Sequence, residues 1–141
     1  MVYLMEGQLL PSARTCEILS DDGLTYYCVH SKRGREAIDQ MEILPQFEGK
    51  AIHDGWKSYQ DYECEHYLCN AHHLRELTFI WEQYQQAWAF QMFILLGSIK
   101  SAVDEARVTH TQLATEILDA FEARYQNILN QGFEANLPPP P

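Results

Sequence analysis

The sequence predicts an α/β fold in which a small sheet with short helices comes first and two long helices follow. Two strand-like segments flank a turn signal between residues 13 and 30, and further short strand patterns lie near residues 50 and 67. From residue 72 onward, apolar residues recur every three or four positions, as they do along one face of a helix. This change of period indicates a strand-containing part and a helical part.

The first recognisable element is a β-hairpin. Residues 13–19 and 24–30 are rich in residues that favour strands, and they flank Ser20-Asp21-Asp22-Gly23. The Asp22-Gly23 pair is a turn signal because glycine tolerates the positive φ that tight hairpin turns require. Residues 1–10 carry no clear pattern, so no element is predicted there.

A short helix and two short strands come next. Within residues 36–47, three apolar residues spaced by three would line one side of a helix that ends near Pro45: Ile38, Met41 and Leu44. Residues 50–53 are predicted as a strand, residues 56–59 as a helical turn and residues 67–68 as part of another strand.

The remainder is predicted to be an antiparallel pair of long helices joined near residues 109–111, with Gly132 as the C-cap of the second. The apolar stripe of the first helix comprises Leu77, Trp81, Tyr84, Trp88, Met92, Leu95, Ile99 and Val103. That of the second comprises Leu113, Ile117, Phe121, Tyr125 and Ile128. A tail of Leu137 and four prolines cannot continue a helix and is predicted to be an extended linker.

The composition limits the classes of function. The chain of 141 residues has 20 acidic and 10 basic side chains, and its formal net charge is −10. A negative chain repels a phosphate backbone unless its cations are grouped or metal ions neutralise the site. The balance therefore argues against an autonomous DNA-binding module, but it is compatible with a metal-dependent catalytic core.

Neither secretion nor a membrane location is predicted. Four cysteines are too few for a disulfide scaffold, and the N-terminus has no basic-then-apolar leader. The richest apolar stretch, residues 88–99, contains Gln91, Gly97 and Ser98 and is shorter than the roughly 20 residues that span a bilayer. A cytoplasmic protein without membrane contacts is expected.

Asp54 ends an apolar run and precedes Gly55 and Trp56. One interpretation is that its side chain caps the helical turn beginning at Trp56, because Asp-Gly before an aromatic residue is a common turn or N-cap. The other is that it binds a metal ion, since a strand end fixes the backbone and Gly55 allows close approach. Both interpretations can hold together.

A second cluster suggests a different metal. Five thiol and imidazole side chains, which zinc favours, fall within ten residues: Cys64, His66, Cys69, His72 and His73. Structural zinc sites usually take two ligand pairs about a dozen residues apart, whereas these five groups lie in one short segment. A small zinc-binding domain is therefore an alternative hypothesis.

Residues 50–59 (KAIHDGWKSY) followed by residues 69–77 (CNAHHLREL) resemble the central region of IS66-type transposases. The resemblance implies that Asp54 is the second catalytic aspartate and a ligand of Mg²⁺ or Mn²⁺ in DNA strand transfer. It also implies that Cys69 and His72 form the cysteine-x-x-histidine signature of this and other DDE families. The element order then matches an RNase H-like core without its first strand, so the predicted parts are an incomplete core (1–71), a helical insertion (72–134) and a proline-rich tail (135–141).

The family also has a first aspartate on its opening strand and a glutamate beyond the helical insertion, and the sequence matches neither. Asp21 and Asp22 lie in the hairpin turn, and Glu6 lies in a segment without the family's opening motif. Three glutamates near the C-terminus match no family motif: Glu116, Glu122 and Glu134. The expectation is a fragment truncated at both ends and inactive alone, because a two-metal site needs at least three carboxylates.

Basic residues supply candidate DNA contacts, and the expected partner is transposon-end DNA. Lys32, Arg33 and Arg35 surround Gly34 in a loop that matches a lysine-arginine-glycine element of the family. Lys57 and Arg75 flank the predicted metal site. On DNA the protein would be associated with the bacterial nucleoid.

A non-catalytic helical interaction module is another hypothesis. Phe90 and Phe93 lie off the predicted apolar face of the first long helix, where a partner would cover them. That partner is expected to be an intact transposase or a second copy of the chain.

Overall fold

A five-stranded mixed sheet forms the first of two units, Met1–Cys69, in the computed structural model. The structure describes residues 1–10, 13–20, 23–32, 34–109 and 112–137. The strands are β1 (Val2–Leu10), β2 (Ala13–Ser20), β3 (Thr25–His30), β4 (Lys50–His53) and β5 (Glu65–Leu68). Their order in the sheet is β3-β2-β1-β4-β5, with β1 to β3 antiparallel and β4 and β5 parallel to β1.

The sheet contains a strand that the sequence did not predict. β1 covers the segment without a recognisable pattern and lies at the centre, where it pairs with β2 on one side and β4 on the other. Glu6, Gly7 and Gln8 interrupt its apolar residues, so the segment shows neither an alternation nor an apolar run, which explains why the pattern was missed. The predicted absence of a strand before the hairpin is therefore wrong.

The hairpin and the two short strands are confirmed, whereas the predicted helix ends at Gln40 instead of near Pro45, because Glu42 adopts a φ of +56°. β2 and β3 form the hairpin, with Gly23 at a φ of +78°, while Asp21 and Asp22 lie outside the described residues. The helix α1 (Arg35–Gln40) and a 3₁₀ turn (Leu44–Gln46) cover the predicted helical segment, and a second 3₁₀ turn spans Lys57–Asp61.

The core of this unit packs α1 and both 3₁₀ segments against the parallel strands. The three residues predicted to share one side of the short helix are each at most 6% exposed: Ile38, Met41 and Leu44. They form one buried cluster with Leu4, Ala51, Tyr59, Tyr62 and Cys64. Because Ala51 and His53 face inward from β4, the residue after the strand, Asp54, leaves the core at the sheet edge.

The second unit, Asn70–Pro141, contains three helices where the sequence predicted two. These are α2 (Asn70–Tyr84), α3 (Ala87–Ala106) and α4 (Thr115–Ala135). The predicted first helix is interrupted at Gln85, whose φ is +53° and whose N–H donates to the Trp81 carbonyl at 2.9 Å. The Gln85 side chain donates to the carbonyls of Trp81 and Glu82, so it caps α2. The apolar residues repeat about every 3.6 positions on both sides of such a break, so the sequence pattern predicted one continuous helix.

Two neutral side chains join the start of α3 to the end of α4. Gln86 Nε2 donates to Asn136 Oδ1 at 2.9 Å, and Asn136 Nδ2 donates to Gln86 Oε1 at 2.9 Å. The predicted C-cap at Gly132 is wrong, because α4 continues to Ala135 and ends at Asn136. Gly132 instead gives Trp88 room, since an added Cβ would lie 3.2 Å from its indole ring.

The helices enclose a second apolar cluster of Leu77, Ala89, Met92, Leu95 and Ile128. Phe93 packs against this cluster, so its predicted place off the apolar face is wrong. Phe90 is 46% exposed and lies against Trp81, with 5.3 Å between ring centroids.

The linking residues His110 and Thr111 and the four prolines of the tail lie outside the described residues. None of the described helices is long and apolar enough to cross a bilayer.

The two glycines inside helices are expected to respond differently to alanine. Gly97→Ala should stabilise the helical unit by about 0.5–1 kcal/mol, because alanine is the better helix former and nothing lies within 4 Å of the added Cβ. Gly132→Ala should give a smaller gain or a loss, because Trp88 must move. Urea unfolding of a W56F variant, whose remaining tryptophans Trp81 and Trp88 both lie in the helical unit, measures both changes by fluorescence, and equal gains would contradict the packing at Gly132.

Candidate functional site

The candidate site lies at the edge of the sheet where the parallel strands β4 and β5 end. The Cys69 N–H donates to the His53 carbonyl at 2.8 Å, which joins the two strand ends. Gly55 then turns the chain with a φ of +87°, and an added Cβ there would lie 3.2 Å from Leu68 Cδ2. The positive φ favours glycine, and any side chain there would also have to displace Leu68, so the turn after Asp54 is closely specified.

The Asp54 carboxylate is exposed and organises the turn that follows it. Its Oδ1 accepts the Trp56 N–H at 2.9 Å, and the Tyr59 N–H donates to the Trp56 carbonyl at 3.0 Å as the 3₁₀ turn begins. Asp54 therefore closes a turn onto Trp56, whereas the 3₁₀ turn itself begins after Trp56 and receives no side-chain cap from the described residues. Its other oxygen, Oδ2, accepts no hydrogen bond from the part of the chain that the structure describes.

His53 lies directly beneath this turn and is fully buried. Its Nδ1 accepts the Gly55 N–H at 3.0 Å, and its Nε2 lies 3.0 Å from His66 Nδ1. The other nitrogen of His66, Nε2, lies 2.9 Å from the Tyr62 carbonyl oxygen. Burial lowers the pKa of His53, and the neighbouring His66 lowers it further, whereas Asp54 acts in the opposite direction. A neutral His53 suits the acceptor role of Nδ1.

Among the described residues, no group of three or more cysteine, histidine, aspartate or glutamate side chains comes together. Cys64 is buried in the core, burial raises the pKa of its thiol, and its Sγ lies 3.8 Å from His66 Nε2. Cys69 is a half-buried free thiol. In the helical unit, His73 Nδ1 lies 3.9 Å from Glu76, and His72 Nδ1 is buried without a hydrogen-bond partner among the described residues.

The predicted DNA contacts differ in their surroundings. Lys32 pairs with Glu36 at 2.9 Å, and Arg35 lies 3.6 Å from Asp39 and 3.4 Å from Asp61. These two cations are therefore partly neutralised. Lys57 and Arg75 are exposed and form no ion pair with the residues described, and Arg33 lies outside them.

The basic loop nevertheless lies near the candidate site. A Cβ added to Gly34 would lie 3.4 Å from both the Trp56 indole and Ser58 Oγ. The loop containing Lys32 therefore passes against the segment that follows Asp54, although the two are more than twenty positions apart in the sequence.

Sequence reasoning did not single out His53 or its bond to His66. The signal was present in the alternation of β4, because a strand that buries Ala51 also directs residue 53 inward. A histidine at an inward position needs hydrogen-bond partners, which would have directed attention to the next strand.

Acidification is expected to destabilise the first unit. Because the pKa of His53 is below its ordinary value of 6.5 in the folded protein, the unfolded chain binds a proton more readily. The free energy of unfolding should fall as the pH decreases through about 6.5, by at most about 1.4 kcal/mol per pH unit for this residue. Trp56 fluorescence during urea unfolding of a W81F W88F variant reports this unit, whose single tryptophan is Trp56.

His53→Gln should reduce this pH dependence. His73→Gln, in the helical unit, should leave it unchanged. If the free energy of unfolding changes with pH equally in His53→Gln and in the parent variant, the assignment of this dependence to His53 is contradicted.

Comparison with known proteins identifies the family. The model of the family described as "Transposase IS66 family" matches residues 11–139, which is nearly the whole chain. No curated protein and no solved structure matches. The match includes Asp54 and its turn, Cys69 and His72, the basic loop and all three helices of the second unit. The chain therefore belongs to the IS66 transposase family.

Proposed function

We propose that this chain is a central region of a DNA transposase of the metal-dependent strand-transfer (DDE) type, with Asp54 as one metal ligand. The position of Asp54 carries the proposal. It follows β4 at the carboxyl ends of the parallel strands, is exposed and precedes a glycine at positive φ. The family match spans this whole segment.

The strand arrangement supports an RNase H-like core. An antiparallel β1-β2-β3 meander continues through β1 into parallel β4 and β5, and this is the arrangement that the family resemblance implies. Under this proposal, β1 and β4 would be the strands that correspond to those carrying the family's first two aspartates, and the two pair in parallel. Glu6 lies on β1, with its backbone opposite Cys16, and matches no family aspartate.

The donor chemistry at Asp54 suits Mg²⁺ or Mn²⁺. Both are hard ions that prefer oxygen ligands, and when bound in pairs they activate the attacking hydroxyl and stabilise the leaving oxygen. Asp54 would supply Oδ2, because Oδ1 holds the Trp56 amide. Lys57, three residues later and exposed, would meet a DNA phosphate.

The chain by itself is proposed to be inactive. No group of three metal-ligating side chains comes together among the described residues, and two-metal chemistry needs several carboxylates. With a net charge of −10, it is also expected to bind DNA weakly when alone. Carboxylates and cations from an intact transposase would complete the site.

A second candidate function is a non-catalytic interaction module formed by the helical unit. Only Ile128 of α4 is buried, while four of its large apolar side chains are at least 41% exposed: Ile117, Leu118, Tyr125 and Phe133. Exposed apolar groups of this kind favour association with another helix or a second copy. A monomer at all concentrations in sedimentation equilibrium would count against this candidate.

Metal binding at Asp54 is directly measurable. Titration with Mn²⁺ should broaden the amide NMR signals of Gly55 and Trp56 first, because a paramagnetic ion relaxes nearby nuclei. Asp54→Asn should weaken this effect about ten-fold or more, since an amide is a poorer ligand than a carboxylate. Glu48→Gln is the matched control, because Glu48 is an exposed acid that precedes β4 instead of following it. Broadening that is unchanged in Asp54→Asn would contradict the proposed metal role.

Activity provides a separate test. The purified chain with Mg²⁺ or Mn²⁺ is expected not to cut a DNA duplex carrying an element end, because the metal site is incomplete. The products can be resolved on a denaturing gel. Cutting that is lost in Asp54→Ala would show that the chain completes its own site and would overturn the proposed inactivity.

A further inference from the structure

His53 stands out among the described residues because it is the one charged or polar residue classed as buried. Its ring packs against Tyr59, with 4.9 Å between ring centroids, at the end of β4. Burying an imidazole is unfavourable unless its nitrogens are hydrogen-bonded, and an apolar side chain would fill this space more simply. The contacts of the two nitrogens therefore indicate what the residue does.

We infer that His53 is a positioning residue for Asp54: its Nδ1 holds the Gly55 amide and thereby sets the direction of the Asp54 carboxylate. This inference rests on the proposed function, in which Asp54 is a metal ligand. The distances from His53 to Gly55 and to His66, each 3.0 Å, are the observations that carry it.

The hydrogen bonds define one tautomer for each ring. The Gly55 N–H can only donate, so His53 Nδ1 must be the acceptor and the proton of neutral His53 must lie on Nε2. That proton is donated to His66 Nδ1, which leaves the His66 proton on Nε2. His66 Nε2 then donates to the Tyr62 carbonyl at 2.9 Å. Each donor faces an acceptor along the whole chain of bonds.

This chain of bonds connects the turn to the core. Tyr62 is itself buried, and its hydroxyl donates to Asp39 at 2.6 Å, so the far end of the chain is anchored. His66 lies on β5 and fixes the ring of His53 on β4. Ring orientation therefore depends on two strands and not on the exposed turn.

Two successive amides of the turn are held by side chains. Gly55 donates to His53 and Trp56 donates to Asp54, so the backbone on both sides of the Gly55 α-carbon is fixed. Without the first bond, the peptide between Asp54 and Gly55 could rotate, and the carboxylate would no longer have one direction. A ligand that must be organised on binding binds a metal less tightly than one that is already in place.

The first test uses the unaltered chain. NMR scalar couplings transmitted through hydrogen bonds should connect Gly55 N with His53 Nδ1, and His53 Nε2 with His66 Nδ1. Both couplings are expected in ¹⁵N-labelled protein at neutral pH. Absence of the Gly55–His53 coupling in a folded sample would overturn the inference, and this measurement requires neither metal nor DNA.

The second test separates positioning from simple packing. In His53→Asn, the amide oxygen can take the place of Nδ1 and accept the Gly55 N–H, whereas the bond to His66 is lost. In His53→Gln, the longer side chain can reach His66 but leaves no acceptor beside Gly55. The Mn²⁺ concentration that broadens Gly55 and Trp56 should stay within about two-fold of the parent in His53→Asn and rise about ten-fold or more in His53→Gln. His30→Gln, on the opposite edge strand β3, is the matched control.

The outcomes are distinct. If Mn²⁺ binding is weakened equally in folded His53→Asn and His53→Gln, the residue acts only through packing, and the inference is overturned. If Mn²⁺ leaves the signals near Asp54 sharp even in the parent chain, the proposed metal role fails, and the couplings still decide whether His53 holds the turn. Mn²⁺ binding that is retained in His53→Asn, together with both couplings in the unaltered chain, would support the positioning role.

Discussion

The pairing of β1 on both of its edges is the constraint on which the first unit depends. The antiparallel hairpin bonds to one edge of β1, and the parallel strands that lead to Asp54 bond to the other. Without this central strand, the hairpin and the β4–β5 pair would be separate and too small to bury a core. The strand also contributes Leu4 to the cluster containing Ile38 and Tyr59, so the helices that cover the sheet depend on it as well.

The helices of the first unit and its strand ends followed from local patterns in the sequence. The spacing of Ile38, Met41 and Leu44 predicted a buried side, although the helix itself ends at Gln40, and Asp22-Gly23 specifies a turn without distant contacts. β1 could not be found in this way, because Glu6, Gly7 and Gln8 interrupt its apolar residues and leave neither an alternation nor an apolar run. The break at Gln85 was likewise hidden, since a non-glycine residue at positive φ carries no signature of its own.

The candidate site likewise contains some features that local sequence patterns reveal and others that they do not. Asp54 and Gly55 were visible because a strand end, a carboxylate and a glycine are adjacent in the sequence. The partnership of His53 with His66 depends on the register between β4 and β5, in which residue 53 is opposite Leu68 and residue 51 is opposite His66. Register of this kind is a tertiary property, so local patterns do not specify it. The contact between Gly34 and Trp56 is also of this type.

The pairing of Gln86 with Asn136 has a consequence for the conditions that the helical unit tolerates. Both amides are uncharged at every physiological pH, so dissolved salt does not screen their attraction. The Lys100–Asp104 pair on α3, by contrast, weakens as ions accumulate. A protein that binds nucleic acid, as proposed for this family member, would meet a dense cloud of counterions. A junction made from carboxamides keeps the beginning of α3 and the end of α4 together in that ionic atmosphere, where a junction made from opposite charges would loosen.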